Sequence, residues 1–85
     1  MEANEFIPKC KQLVANYVNG HATDFREIKP EEVYVVWKCK VLQNAKALLS
    51  TDLPDGMYYE ITLNGDKDEI YFDAYKKFQN IKVEV

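Results

Sequence analysis

No stretch of this chain is apolar over transmembrane length, so nothing in it reads as a bilayer span. Cys10 and Cys39 are its only cysteines, far apart and without C-x-x-C spacing, and no basic or apolar leader opens the chain. Both read as reduced thiols, and the expected location is cytoplasmic. Charge of one sign is lacking too. A net charge of −3 and a pI near 5.1 are too weak for a nucleic-acid mimic, and of the wrong sign to attract nucleic acid or an anionic membrane. Glycine and proline occur three times each, with no repeat, linker or low-complexity segment. Catalytic, metal and nucleotide motifs are missing, so no catalytic residue, metal ligand or cofactor is expected, and the chain reads as a non-enzyme.

What is present describes one soluble α+β domain over residues 1–85. Its 47% hydrophobic and 29% charged content suits a single globular unit above the size that needs disulfides or metals. The first element is an amphipathic helix, with Phe6, Cys10, Leu13, Val14, Tyr17 and Val18 on one face, Asn4 as its N-cap and Gly20 as its C′ residue. From His21 to Glu32 the apolar period is lost, leaving Phe25 and Ile28 as anchors in a connection with a helical turn after Pro30.

Four antiparallel strands follow. Val33, Val35, Trp37, Cys39 and Val41 put one apolar face on the first strand, and a three-residue loop ending at Ala45 pairs Val41 with Ala47 and Trp37 with Thr51, with Asn44 taking positive φ. Pro54-Asp55-Gly56 reads as a three-residue hairpin loop with Gly56 left-handed, which sets Leu53 against Met57 and Leu49 against Ile61. A four-residue loop over Asn64 to Lys67 then sets Ile61 against Ile70 and Tyr59 against Phe72. The result is a helix laid on a four-stranded meander, with Trp37 and Phe72 beneath the helix and Lys38 and Tyr71 on the far side. Residues 74–85 read two ways: a short helix capped by Asp73, or a strand carried on to Tyr75, with Ile81 to Val85 alternating like an edge strand.

Candidate chemistry is thin. His21, the only histidine, follows Gly20 where a cation favours the helix C-terminus, so it reads as a cap or a solvated side chain. Cys39 lies between Lys38 and Lys40, but alternation sends it to the core and the lysines outward. The run Asn64 to Glu69 opens like a calcium loop yet has Glu69 where glycine is needed and Tyr75 at the twelfth position, so it reads as a solvated turn. Ala74-Tyr75-Lys76-Lys77 loosely resembles the second helix of a double-stranded RNA-binding domain. With Lys38, Lys40 and Lys46 it supplies the alternative reading, a nucleic-acid-binding domain.

The most pronounced surface feature is the predicted second face of the sheet, with Tyr34, Val36, Lys38, Lys40, Leu42, Leu48, Tyr58, Tyr71 and Tyr75. Tyrosine brings rigid amphipathic contact area and is enriched at interfaces. These nine residues are the candidate interface, for a protein partner or for self-association.

The segments Glu5 to Ile7, Val33 to Lys40, Leu42 to Asn44, Lys46 to Thr51, Asp55 to Glu60 and Asp73 to Lys77 resemble a family of small uncharacterised proteins from phages and prophages of Gram-positive bacteria. The resemblance implies a phage accessory protein in the host cytoplasm; the partner expected for the tyrosine-rich face is a host or phage protein, or a second copy of the chain. It implies no activity and no site residues.

Overall fold

The computed structural model describes residues 1–21 and 26–85. A helix, α1 (Ala3–His21), leads through a short 3-10 turn at Pro30–Glu32 into β1 (Tyr34–Val41), β2 (Asn44–Ser50), β3 (Met57–Asn64) and β4 (Glu69–Lys76). The strands form one antiparallel sheet in the order β1-β2-β3-β4. The two-layer α+β meander is therefore as the residue pattern predicts. Phe25 lies outside the described residues.

α1 begins earlier than its expected cap, so Asn4 lies inside it. Glu5 Oε1 accepts the Glu2 N–H at 2.9 Å, and the Glu5 N–H donates to the Glu2 carbonyl at 3.0 Å, which satisfies donors that a helix start leaves unpaired. Pro8 sits within the helix, where it supplies no N–H to the Asn4 carbonyl. The C-terminus also corrects the expectation: Gly20 stays helical, and His21 closes the element. His21 Nδ1–H donates to the Tyr17 carbonyl at 2.8 Å and its ring stacks on Tyr17 at 4.1 Å. The imidazole is a cap, as predicted.

The core lies between α1 and one sheet face. Phe6, Cys10, Val14 and Val18 of the helix meet Ala47, Leu49, Tyr59, Ile61 and Leu63, all buried. Tyr17, Tyr59 and Phe72 form an aromatic cluster with centroids 5.2–5.8 Å apart. Ile28 is buried as the expected anchor. Its backbone N–H and C=O both bond the Asn19 amide at 2.9 Å, fastening the connection to the helix end.

Face assignments on β2, β3 and β4 hold, but every register is displaced. Leu49 pairs with Tyr59 rather than Ile61, and Ile61 with Phe72 rather than Ile70. Both shifts are two residues, so each side chain keeps its face. The β2–β3 loop is longer than expected because Thr51 Oγ1 accepts the Leu53 N–H at 3.2 Å and Asp55 Oδ1 accepts the Met57 N–H at 3.1 Å. Gly56 has φ of +69°, as its turn position requires. In the last hairpin, Asp68 takes the left-handed conformation at φ +53°.

β1 departs further. Val41 pairs with Asn44 across a two-residue turn, with Leu42 rather than Asn44 left-handed at φ +55°. Odd residues of β1 then stand opposite even residues of β2: Trp37 opposite Leu48, Cys39 opposite Lys46. A bulge between Val35 and Trp37 reconciles this with Val35 opposite Leu49 on the core side, since one extra residue inverts the alternation beyond it. Trp37 therefore lies on the outer face, 41% exposed, and Cys39 is exposed rather than buried. Lys38 and Lys40, opposite Ala47 and Ala45, share the helix side.

β4 runs to Lys76, which rules out the helix at 74–79, and 77–85 carry no strand or helix. The Lys77 N–H still donates to the Gly56 carbonyl at 2.7 Å. Phe78, Ile81, Val83 and Val85 beyond it are exposed.

Candidate functional site

Paired residues on neighbouring strands share a face, so the registers lay out the outer face row by row. Tyr34 pairs with the buried Ser50 at one end and Tyr58 with Tyr75; the next row runs Trp37, Leu48, Glu60, Asp73, and the third Cys39, Lys46, Thr62, Tyr71. α1 covers the other face of the sheet, and the whole body is 18 Å through its thinnest dimension. That is about two layers. Tyr34 is 44% exposed, Tyr71 52% and Tyr75 51%; Leu48 and Tyr58 are half-buried between their neighbours.

Five of the nine predicted interface residues thus share this face: Tyr34, Leu48, Tyr58, Tyr71 and Tyr75. Val36 is exposed in the bulge and Leu42 in the hairpin turn. Lys38 and Lys40 are not on it. Trp37, Cys39 and Val41 take their places, and the signal that could have found them was the two-residue spacing of Leu42-Gln43, which forces odd against even positions. The aromatic belt is consequently more apolar than the sequence pattern suggests.

Electrostatics mark the middle of the belt. Glu60 and Asp73 stand directly opposite each other, a like-charge pairing that destabilises a ladder unless a cation intervenes. Lys46 Nζ reaches Glu60 at 3.6 Å. Among the described residues no cation bridges Asp73. The Tyr71 hydroxyl donates to Glu69, and that bond together with the carboxylate's charge raises the phenol's pKa.

On the helix side, a groove of about 930 Å³ opens between the start of α1 and the β1–β2 hairpin, lined among others by Glu2, Phe6, Lys38, Lys40 and Leu63. Lysine ammonium groups beside a helix N-terminus make a weak anion-attracting environment. Lys40 Nζ, however, donates to the Leu42 carbonyl at 2.7 Å, and His21 lies at the other end of the 19-residue helix, about 27 Å away at 1.5 Å per residue. The imidazole and the groove do not meet. The other titrating groups are structural: burial pushes the Cys10 thiol up to about 12, and burial, then the charge of Asp55, pushes the Tyr59 phenol up to about 12. The Glu32 carboxyl is lowered by accepting the Lys29 N–H at 2.7 Å and the Arg26 guanidinium at 2.6 Å. Among the described residues no helix is long and apolar enough to cross a membrane, and no three His, Cys, Asp or Glu side chains gather as a metal site would need.

Comparison with known proteins adds the family. The model of a family of unknown function, DUF6275, matches residues 7–85. The chain belongs to that family. No curated protein and no solved structure matches it. The DUF6275 match takes in all four strands and most of α1, so the aromatic outer face lies wholly within the family's extent.

Proposed function

We propose that this DUF6275 member is a non-enzymatic protein-interaction module, a phage or prophage accessory protein of the bacterial cytoplasm that binds a host or phage protein through its outer sheet face. One observation carries the reading: Tyr34, Trp37, Leu48, Tyr58, Tyr71 and Tyr75 all lie on the side of the sheet away from the helix, an aromatic-rich face interrupted by Glu60 and Asp73. Large exposed aromatic patches on soluble domains mark interaction sites, and Trp and Tyr dominate the residues whose truncation costs most binding.

The alternative, nucleic-acid binding, receives less support. Lys38 and Lys40 lie on β1 and Lys76 and Lys77 at the end of β4, opposite sheet edges separated by about 14 Å at 4.8 Å per strand. Lys46 is engaged by Glu60. A backbone-tracking site needs its cations along one path.

The test is affinity capture from host lysate with matched variants. Trp37→Glu and Tyr71→Glu should lose a captured protein that Lys38→Glu on the helix side retains, with thermal unfolding of all three near wild type. Equal capture by all three would refute the reading; a salt-sensitive nucleic-acid complex abolished by Lys76→Ala plus Lys77→Ala would replace it.

A further inference from the structure

Independently of what the outer face binds, we propose that two copies of this chain pair antiparallel through their β4 edges, joining two four-stranded sheets into one of eight strands. The two edges of the sheet differ. β1 carries a bulge and the lysines 38 and 40, devices that blunt an edge against further pairing. β4 carries charges of both signs, Glu69, Asp73 and Lys76, but has neither bulge nor proline over its eight residues, Glu69–Lys76, and its ladder with β3 is unbroken. An edge of this kind is a template for another strand.

The backbone orientation tells which groups are on offer. The Lys77 N–H points at the Gly56 carbonyl, and in an antiparallel ladder the residues that bond a neighbour alternate with those that turn away from it. Odd residues of β4 therefore face β3. Even residues, Ile70, Phe72, Ala74 and Lys76, turn their N–H and C=O outward.

Face matching and charge select the register. A two-fold pairing must keep outer residues opposite outer residues, so the sum of paired residue numbers is even and one residue meets its own copy on the axis. Centred on Asp73, it would set two carboxylates against each other; centred on Phe72 or Ala74, it leaves Asp73 facing Tyr71 or Tyr75. Centred on Tyr75, with the pairing carried two residues past the end of β4 at Lys76, it places Asp73 opposite the second copy's Lys77 and Phe72 opposite its Phe78, twice by symmetry. Asp73 then gains the cation that it lacks beside Glu60. Phe78, 99% exposed in one chain, gains an aromatic partner, and Tyr75 pairs with Tyr75. Opposite-charge and aromatic cross-strand pairs are those that stabilise a ladder.

Sedimentation and light scattering on the purified chain test this. Wild type should show twice the chain's mass, dissociating on dilution. Ala74→Pro removes an outward N–H and none used by β3, so it should be monomeric with an unchanged circular-dichroism spectrum, as proline is tolerated on the free side of an edge strand. Asp73→Lys and Lys77→Asp should each weaken the dimer at least tenfold, and the double swap should restore it to within a few-fold. A wild-type monomer at about 1 mM, where association is worth no more than about 4 kcal/mol, would overturn the proposal. So would single swaps that dimerise as wild type does, or a double swap that fails to recover, even if Ala74→Pro does not fold.

Discussion

Gly65→Ala separates what tertiary contact does from what local conformation does, because the two predict opposite signs. Gly65 is outside the left-handed region, so on backbone grounds alanine there should stabilise by about 0.4–1 kcal/mol through the unfolded chain. Space says otherwise. A Cβ at Gly65 would lie 2.1 Å from the Gln43 carbonyl oxygen and 2.8 Å from the Gln43 carbonyl carbon and Cβ, so the β1–β2 turn would have to retreat. Retreat strains the bonds that join the two turns: the Gly65 N–H to Asn44 Oδ1 at 2.9 Å, and the Gln43 amide to Asp66. Two solvent-exposed hydrogen bonds contribute about 1–3 kcal/mol together, which leaves a net loss of about 0–2.6 kcal/mol, about 1.3 at mid-range, after the entropic gain. For a domain of this length the mid-range loss lowers Tm by roughly 5–10 °C. Gly20→Ala is the control: nothing lies within 4 Å of its would-be Cβ, and near a helix end alanine gains up to about 1 kcal/mol. Thermal unfolding of the pair should move Tm in opposite directions. A Gly65→Ala protein as stable as wild type would mean that the two turns are not in contact, and the packing of the β1–β2 hairpin against the last loop would have to be redrawn.

Trp37, the only tryptophan, should show solvent-exposed emission and ready acrylamide quenching in the folded protein; blue-shifted, protected emission would put it beneath α1 and remove the bulge. Leu49→Ala should cost about 2–5 kcal/mol by cavity formation, and Tyr34→Ala distinctly less, measured by urea unfolding. Stability should also fall in alkali. Cys10 and Tyr59 hold their protons up to about 12 when folded, against ordinary values of 9.0 and 10.0, so the unfolded chain releases protons first. Their contribution is complete below about pH 9 and is lost as pH rises toward 12. Cys10→Ala should flatten the decline of Tm with pH, and an unaltered slope would count against the buried thiol.

Periodicity made α1, the four strands and the faces of β2, β3 and β4 legible from the residues, because a period of two or 3.6 survives an error in loop length. Leu49, Tyr59, Ile61 and Phe72 face α1 whichever of the two-residue-shifted registers holds. The same argument failed on β1, where Val33, Val35, Trp37, Cys39 and Val41 read as one continuous apolar face. The outer-face candidates fell with it at Lys38 and Lys40 and survived at Tyr34, Leu48, Tyr58, Tyr71 and Tyr75. Loop lengths were illegible for a related reason: the Thr51 and Asp55 side chains extend one turn, and Leu42 takes a left-handed conformation that its residue type disfavours. Composition and alternation by themselves determined an α+β meander with an aromatic second face. Only the tertiary structure decided which side of the sheet carries Trp37, since one bulged residue inverts every position after it, and a bulge is set by how β1 and β2 meet across space and not by the local pattern of either strand.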